Sequence, residues 1–231
     1  MSSQNIVIGI EGLVGAGKTS ICRELLKYIP NSVLLNGGNL YRAILSVLLK
    51  KDNDINDIAK KVKNLDIKEI MDKLKIEIKI EDRETVFYCK GERLKEENLQ
   101  SVESSMAVSK VGGIADNTNL FYFARELIND LKQKYNVIIS GRTLMTIYPD
   151  LDYHFFITAS LEERVIRKSK QYEHKYTKQE LKEHISQRDL LQEKAGFYDL
   201  SEKTLTVDVT NCKSVEESTK KVLSLIKVPI A

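Results

Sequence analysis

Residues 6–19 read Ile6-Val7-Ile8-Gly9-Ile10-Glu11-Gly12-Leu13-Val14-Gly15-Ala16-Gly17-Lys18-Thr19. Gly12 through Thr19 match the spacing G-x-x-x-x-G-K-[ST] without a mismatch, the pattern of a phosphate-binding P-loop. The apolar run Ile6–Ile10 has the length of a buried strand, and apolar residues through Leu25 and Ile29 recur at helical spacing. Strand, glycine-rich turn and helix start are the context such a loop requires. Glycines let the backbone curl so that successive N–H groups and the helix N-terminus face an anion. Gly12, Gly15, Ala16, Gly17, Lys18, Thr19 and Ser20 are therefore the candidate donor-binding residues. Lys18 would bring a point charge to the β- and γ-phosphates, and Thr19 a hydroxyl to Mg²⁺. The pattern implies that the chain binds a nucleoside triphosphate.

The rest of the chain sets bounds on this reading. Its 231 residues suffice for one α/β domain with a real core. With 42% hydrophobic and 30% charged residues it reads as globular rather than disordered. A net charge of +3 gives no argument for a nucleic-acid partner. Cys22, Cys89 and Cys212 lie far apart and suggest neither a disulfide framework nor a metal site, so a reducing cytoplasm is the expected compartment. No apolar stretch has membrane-spanning length, and a monomer is expected. His154, His174 and His184 show no metal-ligand spacing.

Short apolar runs at Ile6–Ile10, Val33–Leu35, Val137–Ile139, Phe155–Ile157 and Leu205–Val209 alternate with amphipathic stretches. This is the signature of a five-stranded parallel sheet flanked by helices. Capping boxes are expected at Asp66/Glu69, Ser160/Glu163, Thr177/Glu180 and Ser214/Glu217. The gap between the second and third runs is long. Residues 37–120 read as an inserted acceptor-binding subdomain over the C-terminal edge of the sheet. It holds a hairpin, Ile76–Ile80 and Thr85–Cys89, around the loop Glu81-Asp82-Arg83-Glu84. Residues 160–195, two helical stretches rich in Arg and Lys, read as a mobile lid.

Phosphoryl transfer asks a protein for positioning, exclusion of water and positive charge around the moving group. Arginines at strand ends and on mobile segments are the candidates: Arg42, Arg142, Arg164, Arg167 and Arg188. Ser140-Gly141-Arg142 directly follows the Val137–Ile139 strand and so places Arg142 at its C-terminal end. The P-loop, Tyr41-Arg42, Ser140-Gly141-Arg142 with Pro149-Asp150, Phe156-Ile-Thr-Ala-Ser160-Leu-Glu-Glu-Arg164, Arg188-Asp189 and Val207-Asp-Val-Thr210 occur in one order along the chain. In that ordered set the sequence resembles the cytidylate (CMP/dCMP) kinase family. The resemblance implies the nucleoside-monophosphate kinase fold, ATP and Mg²⁺ as cofactors, and a small phosphate acceptor as partner. It assigns catalysis to Lys18, Arg142, Arg164 and Arg188. Acceptor binding falls to Tyr41, Arg42, Ser109, Arg142 and Arg188. The hairpin resembles the small extra sheet that the family carries in its insertion.

The departures from that pattern fall on one side of the site. Asn36-Gly37-Gly38 stands for the usual Asp-Ser/Thr-Gly, and Ser140-Gly-Arg142-Thr143 for Asp-Gly-Arg-Asp. The lost first carboxylate would support Mg²⁺, and Glu11 is the nearest alternative. Gln192 and Ala195 replace the family's ribose-contacting aspartate and a further arginine. The family's base-contacting arginine has Phe121 at its place, and Arg125, one helical turn on, shares that face and is a candidate substitute. The cluster Phe121-Tyr122-Phe123 reads as helix core, with stacking on an aromatic acceptor as the alternative. Phosphate-gripping residues are kept, whereas base- and ribose-reading residues are mostly lost. The expected reaction is transfer from ATP to a nucleoside monophosphate of the CMP/dCMP type. Another small acceptor (nucleotide, nucleoside or metabolite) and a non-catalytic nucleotide-binding module remain alternatives.

Overall fold

The computed structural model describes residues 5–49, 66–114 and 118–227. Residues 50–65 and 115–117 of the expected insertion lie outside the described residues. In chain order the elements are β1 (Val7–Gly12), α1 (Lys18–Leu25), β2 (Ser32–Asn36), α2 (Gly37–Leu49), α3 (Ile67–Leu74), β3 (Ile76–Glu81), β4 (Glu84–Cys89) and β5 (Glu92–Arg93). There follow α4 (Glu96–Leu99), α5 (Val102–Ile114), α6 (Thr118–Lys132), β6 (Asn136–Ser140) and α7 (Leu144–Ile147). The chain continues with β7 (Tyr153–Thr158), α8 (Leu161–Gln171), α9 (Lys178–Lys194), β8 (Leu205–Asp208) and α10 (Val215–Leu223).

Five parallel strands form the centre of the sheet in the order β2-β6-β1-β7-β8. Each of the five apolar runs became one of these strands. Four of them are apolar without alternation because both faces are covered. Ile8, Ile10, Leu34, Ile138, Phe155 and Ile157 pack on α1 and α10 through Ile21, Leu25 and Val222. Val7, Val33, Leu35, Val137 and Ile139 face the other way, against Ile128 and Leu131 of α6 and Leu144 of α7. A separate cluster, built from Leu40, Ile44, Ile70, Met71, Phe87, Leu99 and Val111, holds α2 through α5 together. A fourth joins Val14 of the loop to Val165, Leu181 and Ile185 of α8 and α9.

The hairpin forms, but it does not make a sheet of its own. β4 pairs in parallel with β2 at Leu34 and Glu84, so β3 and β4 extend the central sheet at its edge. The reason lies in its turn. The expected four-residue loop shrinks to Asp82-Arg83, both with positive φ (48° and 66°), as a tight two-residue hairpin demands. Arg83 then donates to the carbonyls of Ser32 and Ile29 and to the Ser32 hydroxyl, which clasps the turn to the start of β2. Of the four expected capping boxes only Thr177/Glu180 is reciprocal. Asp66, Ser160 and Ser214 each cap their helix, but their glutamate partners turn elsewhere: Glu163 to Arg167 and Glu217 to the Lys213 amide.

Phe155 is fully buried between α1 and α10. Phe155→Ala is expected to lower the free energy of urea unfolding by about 3–5 kcal/mol, through lost transfer energy and the cavity left behind. A loss below about 1 kcal/mol would contradict this core assignment.

Candidate active site

The carboxyl ends of β1, β2 and β6 open into one cavity of about 790 Å³. In an open α/β sheet this is where the strand ends leave room for a ligand. Its floor is the glycine loop. Gly15 and Gly17 adopt positive φ (79° and 96°), and Gly17 stands at the N-terminus of α1. Gly15, Ala16, Gly17, Lys18, Thr19 and Ser20 all line the cavity. Gly12 does not. It serves the loop from below, because a Cβ there would sit 2.1 Å from the Ile157 carbonyl oxygen of β7.

Around this floor the structure gathers Lys18, Arg42, Arg142, Lys168 and Arg188. Lys18 Nζ donates to the carbonyls of Gly12 and Leu13 at 2.9 and 2.8 Å. Among the described residues, Arg42 Nε is buried without a partner, and its Nη1 reaches the Asn39 side chain at 3.5 Å. Arg188 Nε donates to the Ser109 hydroxyl at 3.2 Å. Arg142 donates through Nε to Gln192 Oε1 at 2.8 Å and through Nη1 to the Gly141 carbonyl. None of the five is in an ion pair among the described residues. Burial, followed by mutual repulsion, weakens the hold of Lys18, Arg42, Lys168 and Arg188 on their protons. Burial and then Arg142 push Lys18 well below the usual lysine range. Arg42 is brought down to about 9 and Lys168 to about 7, in each case by burial and then by Arg188. Arg188 falls to about 10, from burial and then Arg142. A cluster of like charges held this way is complementary to a ligand carrying several negative charges.

Lys168 was not foreseen from the sequence. It stands one helical turn beyond Arg164 on α8, and both side chains lie against Gly15, where a Cβ would meet Arg164 Cβ and Lys168 Cγ at 3.4 Å. The i, i+4 spacing was the available signal. Tyr41 and Ser109 also line the cavity.

Two expected site arginines are used elsewhere. Arg164 is buried and does not line the cavity. It donates to the Ala159 and Val14 carbonyls and pairs with Asp189, so it holds α8 to the loop and to α9. Arg125 also lies outside the cavity, because its guanidinium donates to the Ile147 and Thr146 carbonyls. Phe121 does line the cavity, beside Leu120, Val108, Ala124 and Ile147. Arg167 lines it while donating to Glu163, Ala16 and Val209. Glu11 is no substitute carboxylate for a metal. It is buried under the loop, accepts from the Leu144 amide and faces His154 Nε2 at 3.2 Å. Ser140 lines the cavity with its hydroxyl beside the Cys22 thiol, which burial pushes up to about 12. No group of three or more His, Cys, Asp or Glu able to hold a metal exists among the described residues. No helix there is long and apolar enough to cross a membrane.

An α/β sheet with a glycine loop feeding a helix, and a cation cluster over its strand ends, defines a phosphate-binding protein of the P-loop class. The family model and the curated relatives agree. A family model described as cytidylate kinase matches residues 8–228. The chain is 31% identical over 230 residues to a cytidylate kinase of Clostridioides difficile (strain 630), covering 97% of this chain and 99% of the relative. It is likewise 31% identical to a cytidylate kinase of Caldicellulosiruptor saccharolyticus, covering 96% of each. Among solved structures, a shikimate kinase from Bacteroides thetaiotaomicron aligns over 96% of this chain and 99% of its own at 13% identity and a TM-score of 0.44. The protein belongs to the cytidylate kinase family and is a phosphotransferase.

The ammonium form of Lys168 binds anions, and it is lost as pH rises through about 7. Sulfate, which does not titrate in this range, is therefore expected to bind severalfold more weakly at pH 8.5 than at pH 6. In Lys168→Met the profile should flatten. Calorimetric titration reads both, and a flat wild-type profile would exclude Lys168 from the anion site.

Proposed function

We propose that the protein transfers the γ-phosphoryl group of ATP to a nucleoside monophosphate, CMP or dCMP, giving ADP and the diphosphate. The observation that supports this most is the set of five cations around one cavity that have no carboxylate ion-pair partner among the described residues. Its positive charge is complementary in sign to a triphosphate and a monophosphate brought end to end. Lys18 and the amides of residues 15–20 would hold the donor phosphates, with Arg167 and Lys168 closing from α8. Arg42, Arg142 and Arg188 would hold the acceptor phosphate. Residues 160–195 act as a lid, and residues 37–120 carry the acceptor. An acceptor phosphate oxygen attacks the γ-phosphorus while the bond to the β–γ bridging oxygen breaks, and the electron pair leaves on ADP. The attacking group is already an anion, so no general base is needed.

The donor set fits Mg²⁺ only in part. Thr19 and Ser140 supply hydroxyls, and with Glu11 turned away phosphate oxygens and water would fill the remaining positions. Bound there, the ion would neutralise charge on the donor phosphates.

One observation favours a second reading, another small acceptor handled by the same fold. Among the described residues, the wall that faces the acceptor end is apolar at Val108, Leu120, Phe121, Ala124 and Ile147, with Arg125 tied to carbonyls. ADP release measured over a panel of nucleoside monophosphates separates the readings. Turnover of CMP or dCMP well above the rest supports the first, and activity only with another acceptor supports the second. ADP release with none would overturn both. Lys18→Ala is expected to lower kcat by roughly 100-fold or more, as loss of a fixed charge at the transferred group should. Unchanged turnover would remove the donor assignment.

A further inference from the structure

Two residues beyond the end of α9, Gly196, with a φ of +71°, turns the chain back so that the Phe197 amide bonds the Gln192 carbonyl. This return lays Tyr198 against Phe156 of β7, edge to face at 5.7 Å between ring centroids. Its hydroxyl then stands between two acceptors, 2.7 Å from Asp189 Oδ1 and 3.0 Å from Gln192 Oε1. A phenol has one proton and can donate to only one of them at a time. Burial pushes the Tyr198 phenol up, so it keeps that proton.

Each acceptor leads into the site. Gln192, buried, uses the same oxygen to accept Arg142 Nε at 2.8 Å. Asp189 Oδ1 also accepts the Val14 amide of the glycine loop at 3.3 Å, and Oδ2 pairs with Arg164. A line of short polar contacts thus runs from the donor-phosphate loop to the arginine at the end of β6, with the one Tyr198 proton serving either side of it. The Tyr198 hydroxyl is its single junction. Arg142 has Nε and Nη1 committed to Gln192 and Gly141. Its remaining donors can meet a phosphate squarely only if that side bond holds its plane.

We propose that Tyr198 is a positioning residue, whose hydroxyl couples the glycine loop to Arg142 through Asp189 and Gln192 and so aligns donor and acceptor phosphates. The kinetic part of this inference rests on the phosphoryl-transfer reading above. The path itself rests on the geometry alone.

Tyr198→Phe keeps the ring against Phe156 and removes the hydroxyl. In ¹H–¹⁵N spectra of the free chain, the Val14 amide and Arg142 Nε–H resonances should both move relative to wild type. The Arg142 Nε–H should exchange with water severalfold faster. In turnover, kcat should fall about tenfold while the KM for ATP stays within about twofold, since misalignment costs the transfer step more than donor binding. On a Gln192→Leu background the same change should add little further loss, as for two residues acting as one unit. Unmoved Val14 and Arg142 resonances would overturn the coupling, and so would a kcat near wild type or losses that multiply. If the wild-type chain turns over no monophosphate, the phosphoryl-transfer reading fails, and the spectra still decide whether the coupling exists.

Discussion

The site depends on one close approach of backbone to backbone. Gly12, with φ of 145°, lets the chain leave β1 against β7, and the Leu13 amide bonds the Ile157 carbonyl at 3.0 Å. A side chain at Gly12 would occupy the space of that carbonyl. Because the chain exits there, Gly15 and Gly17 can take left-handed torsions above the sheet and deliver Lys18 and Thr19 to the first turn of α1. The loop is then bound from above. Arg164 takes the Val14 carbonyl, Arg167 the Ala16 carbonyl, and Asp189 the Val14 amide. The helices over the loop are thus attached to its backbone before any ligand arrives.

The second constraint is electrostatic. Five cations share a cavity whose described lining acids are Glu96, Glu97 and Glu163, and of these Glu96 is paired with Arg23 and Glu163 with Arg167. This arrangement costs the fold. Lys168, with its pKa depressed to about 7, penalises the folded state below that pH, and the penalty is relieved as pH rises toward the usual lysine range. Arg42 and Arg188 carry the same penalty to higher pH. A fold keeps such a cluster when a ligand supplies the missing negative charge. The carboxylates that could have neutralised it are spent elsewhere: Asp189 on Arg164, and Glu84 and Glu96 on Arg23 of α1. The Arg23 pairs also tie the first helix to the hairpin and to α4, which joins the two sides of the cavity.

Much of the fold could be read directly. Apolar runs of strand length became the five parallel strands because both sheet faces are covered, and Thr177 with Glu180 marked a helix start through local bonds alone. The hairpin was legible as two strands but not in its attachment, since the bonds of Arg83 to Ile29 and Ser32 join residues about fifty positions apart. The site divided the same way. Lys18, Arg42, Arg142 and Arg188 stand where local pattern placed them. Arg164 and Arg125 carry equally persuasive patterns, yet their guanidinium groups are consumed by backbone carbonyls that only the folded chain brings near. Gln192 read as a lost ribose contact, and in the fold it is the partner of Arg142.

The sequence by itself determined the glycine loop, the parallel sheet and the supply of cations that line the cavity. Each depends on torsions, periodicity or charge written within a few residues. The tertiary structure decided which arginines remain available, that Lys168 joins them, and that Glu11 faces His154 rather than the cavity. It also decided that Tyr198 bridges Asp189 and Gln192. These outcomes are competitions for hydrogen-bond partners between distant segments, and a side chain's winner is set only when packing fixes which acceptors lie within about 3 Å of it.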